Sequence, residues 1–94
     1  MKNFEPSILT SIDKRKIDLN VVQRIMFSID ENRNARITNI AANTKLNYKR
    51  CVRYIQLLSS YELILVTRDG ICVSQRGREL LDLIQNIRNY FAKN

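Results

Sequence analysis

Lys49, Arg53, Gln56 and Ser60 recur at spacings of four, three and four residues. At about 100° per residue, that spacing lines them along one side of a helix. Lys45, Asn47, Tyr48 and Arg50 lie around the same segment. Ammonium and guanidinium groups pair with phosphates, which positions a protein on a duplex. Guanidinium and carboxamide groups also make paired hydrogen bonds to base edges: Asn47 and Gln56 suit adenine, Lys49 and Arg53 suit guanine. The chemistry on offer is recognition of a nucleic acid rather than bond-making.

Catalytic constellations are missing. The sequence has no His, hence neither the commonest general base nor the commonest metal ligand. Its two cysteines, Cys51 and Cys72, are too few for a zinc site within one chain. Each is expected to behave as a small buried hydrophobe. Asp13, Asp18 and Asp30 stand apart and read as caps or surface charge. No enzymatic activity, metal, cofactor or small-molecule ligand is expected.

Charge supports the same direction. Sixteen Lys and Arg against nine Asp and Glu give a net charge of +7 on 94 residues, while 45% of the residues are hydrophobic. This is a single globular domain with a polyanion as its natural partner, not a disordered basic tail. No acid occurs between Glu31 and Glu62, a stretch that carries Arg33, Arg36, Lys45, Lys49, Arg50 and Arg53. The longest apolar run, Leu63 to Val66, is far short of the ~20 residues of a membrane span. No signal-peptide pattern opens the sequence, so a cytoplasmic protein with reduced thiols is expected.

The elements that must position these residues follow from local signals. Residues 1–17 lack periodicity and are expected to form an arm. Asp18 suits an N-cap. Leu19, Val22, Ile25, Met26 and Ile29 then recur at helical spacing, with Asn20, Gln23, Arg24 and Ser28 facing elsewhere, to an end near Asp30. Ala35-Arg36-Ile37 suggests a stub of strand. Thr38 suits the N-cap of a short helix, Asn39 to Thr44, with Ile40 and Ala41 inward. After a break at Lys45-Leu46, Asn47 caps a third helix from Tyr48 to about Ser60. Leu63 to Thr67 is rich in β-formers, Asp69-Gly70 is a two-residue hairpin signal, and Ile71 to Val73 returns. Ser74 caps a last helix, Gln75 to Ala92.

The predicted fold is α+β and mostly helical: helix, strand stub, helix-turn-helix, β-hairpin, C-terminal helix. Two helices across a short turn, followed by a hairpin, make a winged helix-turn-helix. Residues 18–74 would form that unit and residues 75–94 a C-terminal helix for dimerisation. On the third helix Tyr48, Cys51, Val52, Ile55 and Leu58 gather on the apolar side, opposite Lys49, Arg53, Gln56 and Ser60. Anchored by that stripe, the helix would present its cationic side to a major groove ~12 Å wide. Tyr48 has two readings, packed in the core or against the sugar-phosphate backbone. Tyr54 reads as structural. Arg68, beside the hairpin tip, is placed to contact backbone or a minor groove.

The apolar residues of the last helix, Leu80, Leu81, Leu83, Ile84, Ile87, Tyr90 and Phe91, span about half its circumference, more than one core contact needs. Either it is wedged deep in its own domain, or its second edge pairs with another copy. A homodimer is expected, through Leu80, Leu83, Ile84, Ile87, Tyr90 and Phe91. The competing reading of the whole chain is a winged-helix interaction module that docks on an acidic protein partner.

Thr38-Asn39-Ile40-Ala41, Leu46-Asn47, Tyr54-Ile55, Leu58 and Leu63-Ile64 resemble the winged helix-turn-helix pattern. Arg68-Asp69-Gly70, then Val73-Ser74-Gln75-Arg76-Gly77-Arg78-Glu79-Leu80-Leu81, resembles the wing and exit motif of archaeal winged-helix proteins, nearest the ten-kilodalton (10a-type) chromatin-protein family. The resemblance covers about residues 19–91. It implies a double-stranded DNA binder that dimerises through its C-terminal helix and acts, nucleoid-associated, as a regulator or chromatin component. Asn47 to Gln56 would be the reader and Arg68 the wing contact. Four departures stand out. Glu62 takes the place of the usual Gly after the reader, so that helix is expected to end differently. Ser74 replaces the usual Thr, the last helix is shorter than in the chromatin members, and the extra N-terminal arm is unusual.

Overall fold

The computed structural model describes residues 17–92, so all but the last residue of the expected arm lies outside the described residues. Helix α1 spans Leu19–Glu31. The Asp18 carboxylate accepts from the Asn20 N–H at 2.9 Å, the expected cap. Val21, Val22, Ile25, Met26 and Ile29 are buried. Ser28, expected outside, is only 6% exposed. Its Oγ lies 3.4 Å from Asn43 Nδ2 on the next helix, which gives the buried hydroxyl a partner.

Helix α2 spans Ile37–Thr44, and its N-cap is Arg36, without a side-chain cap. The expected Thr38 cap is therefore corrected: Thr38 lies within the first turn. The cause is non-local. Ala35 and Ile71 exchange both backbone hydrogen bonds, at 3.2 and 2.8 Å, which holds the chain extended up to Arg36. The strand stub is this single bridge. At its far end α2 closes with Lys45 in the left-handed region, φ 60°. The Leu46 N–H donates to Ala41 O at 3.0 Å. Arg24 of α1 donates to Thr44 O at 3.1 Å, fastening α1 to this end.

Helix α3 spans Tyr48–Ser60, and Asn47 Oδ1 accepts from the Arg50 N–H at 2.9 Å. The helix ends as it would with Gly at position 62. Glu62 itself takes φ 62°, its N–H donates to Ser59 O at 2.9 Å, and the Leu63 N–H donates to Leu58 O at 3.0 Å. These are the paired bonds of a Schellman ending. The expectation of a different ending is corrected: the left-handed strain, of order 1–2 kcal/mol, is tolerated at Glu62.

Strands β1 (Ile64–Thr67) and β2 (Gly70–Val73) pair antiparallel, Ile64 opposite Val73 and Thr67 opposite Gly70. The two-residue turn is Arg68-Asp69, one position before the expected Asp69-Gly70. Gly70 opens β2 at φ 137°, and a Cβ there would fall 2.3 Å from Asn34 O. Glycine is required here by a neighbouring loop as well as by the hairpin.

Helix α4 spans Gln75–Ala92. Ser74 Oγ accepts from the Gly77 N–H at 3.0 Å, as a cap should, and donates to Glu62 O at 2.6 Å. A Cβ on Gly77 would lie 2.0 Å from Leu63 O, so α4 starts in backbone contact with the end of α3. Arg78 pairs with Asp30 of α1. Beyond that, α4 leaves the core: Gly77 and Leu81 are its buried residues, and Leu83, Ile87, Tyr90 and Phe91 are exposed. The reading of a helix wedged deep in its domain is excluded.

Candidate nucleic-acid interface

The presentation of α3 starts from its buried side. Cys51, Tyr54, Ile55, Leu57 and Leu58 are buried. The stripe is rotated from the predicted one: Tyr48 is 55% exposed and Val52 half-buried, while Tyr54 and Leu57 take their places. Tyr54 can be buried because its hydroxyl has a partner. It accepts from the Asp18 N–H at 3.0 Å, which ties the reader to the start of α1. The Arg50 guanidinium sits over the same ring, 5.7 Å from its centroid. Burial pushes the Cys51 thiol above its usual pKa. The group is inert as a nucleophile, because the thiolate is the reactive form.

The opposite side is open. Lys49, Arg53, Gln56 and Ser60 are all exposed, as are Lys45, Asn47, Arg50 and Arg68. Among the described residues the one ion pair is Arg78 with Asp30. Lys49 and Arg53 therefore carry their charge without a described acid against them. Asn47 is brought to the site in a changed capacity: its Oδ1 is committed to the cap, leaving Nδ2 as the donor that can face outward. Lys45 stands on the left-handed turn between α2 and α3, and Arg68 in the turn of the hairpin.

A shallow groove of about 310 Å³ joins the first turns of α2 and α3 to the wing. Arg36, Ile37 and Thr38 line one wall, Tyr48 another, and Val66 and Thr67 the third. Arg36 and Thr38 are additions to the predicted site. Arg36 already stood out in the acid-free stretch, but assigning it to a strand stub hid its place as the N-cap residue at the mouth of α2.

The residues assigned to a dimer contact divide in two. Leu80, Ile84 and Ile87 line an apolar groove of about 260 Å³ with Leu19 and Val22 of α1. Leu83, Tyr90 and Phe91 lie open, the last two in edge-to-face contact at 5.3 Å.

Comparison with known proteins bears on this geometry directly. A family model described as winged helix-turn-helix matches residues 14–91. The chain belongs to that family. Membership agrees with the winged helix-turn-helix architecture described above, mostly helical with one antiparallel hairpin. No curated protein matches the sequence. Among solved structures, a MarR/EmrR family transcriptional regulator from Acinetobacter sp. ADP1 aligns with a TM-score of 0.72 at 18% identity, over 93% of this chain and 64% of that one. A protein of unknown function from Listeria innocua Clip11262 aligns with a TM-score of 0.67 at 19% identity, over 86% of this chain and 58% of that one. Both share the winged-helix fold, and this chain spans less than two thirds of either. Among the described residues no cluster of His, Cys, Asp or Glu is arranged to hold a metal ion, and no helix is long and apolar enough to cross a membrane.

Proposed function

We propose that this winged-helix protein binds double-stranded DNA, with α3 in the major groove, and acts as a homodimeric regulator of transcription. The observation that carries the reading is the outward side of α3: Lys49 and Arg53 exposed, held by a buried stripe, within a stretch of sequence without an acid. Lys45, Arg50 and Arg68 add phosphate contacts on either side of the reader, Gln56 supplies a donor and an acceptor for base edges, and Asn47 supplies its Nδ2 donor. Arg36 joins them across the groove at Tyr48.

Dimerisation through α4 is supported by the apolar residues it leaves in solvent, Leu83, Ile87, Tyr90 and Phe91. A second copy would cover them and the groove beside Leu19. The likeness to a protein described as a transcriptional regulator supports regulation, and the 10a-type resemblance supports the neighbouring role of a chromatin component in the nucleoid. Sequence preference separates these two roles: a regulator discriminates among duplexes, whereas a compacting protein binds them alike.

A gel shift on random duplex DNA tests the central reading. With about six phosphate contacts, affinity falls by ~10³ between roughly 50 and 200 mM salt. Absence of a shift at low salt overturns the proposal and favours docking on an acidic protein instead.

A further inference from the structure

The open side of α3 is not uniform. On a helical wheel its open arc begins at Tyr48 and the half-buried Val52, passes through Gln56 and Lys49, and ends at Arg53, with Arg50 beyond the buried Leu57. The apolar edge faces the wing, because Tyr48 shares a groove with Val66 and Thr67 of β1. Tyr48 is 55% and Val66 58% exposed, so neither belongs to the core. Phosphate binding accounts for the cationic edge and leaves the apolar one without a role.

A second copy of the chain is a poor occupant of this edge. Each copy carries +7, the groove is lined by Arg36, and Lys49 follows Tyr48 in the sequence. Charge complementarity calls for a polyanion that also offers apolar groups. Duplex DNA offers them in its major groove as the C5 methyl of thymine, against which apolar side chains pack.

We propose that Tyr48, with Val52 and Val66, packs on thymine methyl groups and gives the protein a preference for A·T pairs in the major groove. The proposal rests on the duplex-binding reading above and adds the base it favours. Tyr48 contributes the larger surface, and Arg36 and Lys49 hold the backbone on either side of it.

The test uses the full chain and two duplexes of one A·T-rich sequence, one with thymine and one with uracil at every thymine position. The pair differs only by the methyl group. Burying one methyl is worth about a four-fold change in affinity. The unaltered protein is expected to bind the thymine duplex at least about four-fold more tightly. Tyr48→Ala should bind both duplexes alike, Val66→Thr should reduce the ratio, and Lys49→Ala should weaken both while keeping it. Equal binding of the two duplexes by the unaltered protein overturns this proposal and leaves DNA binding intact. A ratio that survives Tyr48→Ala overturns the assignment to Tyr48. Binding to neither duplex overturns the duplex-binding reading as well.

Discussion

Helices α3 and α4 are both amphipathic, yet they spend their apolar residues differently. Of thirteen residues α3 buries five, all from one stripe, and what remains outward is mostly polar or cationic. Of eighteen residues α4 buries two and leaves Leu83, Ile87, Tyr90 and Phe91 in solvent. The same pattern of apolar spacing thus has two meanings. Where the body of the domain covers the stripe, the helix becomes a rigid carrier for its other side. Where it does not, the stripe is itself surface, here Leu83, Ile87, Tyr90 and Phe91 on one helix.

The contrast can be broken most easily at its strongest point. Leu58→Ala in α3 should destabilise the domain by about 2–5 kcal/mol, read from a urea or thermal melt, because the site is fully packed. Phe91→Ala in α4 should cost the monomer under about 0.5 kcal/mol but lower the mass seen by light scattering. If both substitutions act alike on the melt at dilute protein, the distinction fails.

Next come the charges. Lys49→Ala and Arg53→Ala should each reduce the slope of log affinity against log salt by about 1, with the melting temperature nearly unchanged. Equal slopes for parent and variants would remove α3 from the interface. Tyr54→Phe should cost about 1 kcal/mol by leaving the Asp18 N–H without its acceptor, and should loosen α3 against α1. The smallest effect is a gain: Glu62→Gly relieves the left-handed backbone and should raise stability by about 0.5 kcal/mol after the added chain entropy of glycine is counted.

What the sequence made legible was local chemistry. Asp18, Asn47 and Ser74 cap the helices they were expected to cap, because a cap is satisfied within three residues of itself. The cationic side of α3 followed from spacing alone. Apart from the local ending of α3 at Glu62, the misplaced features depend on contacts distant in sequence. Thr38 lost its cap role to the Ala35–Ile71 bridge, Gly70 is taken up as the first residue of β2 beside Asn34 rather than as a turn residue, and Ser28 went inside under Asn43. Tyr48 and Tyr54 differ by six positions and carry the same side chain. Tyr54 falls on the side of α3 that packs against the domain, where its hydroxyl accepts from the Asp18 N–H, while Tyr48 falls on the open side.

The hydroxyl of Ser74 holds the Glu62 carbonyl, just past α3, and the Gly77 amide in the first turn of α4 at the same time, with Gly77 pressed against the Leu63 carbonyl. That junction has no slack. A partner that tilts the far end of α4 works a lever whose fulcrum is this serine, and the end of α3 moves with it. On the proposed reading, pairing of two copies through α4 would be coupled to the angle at which α3 meets a duplex.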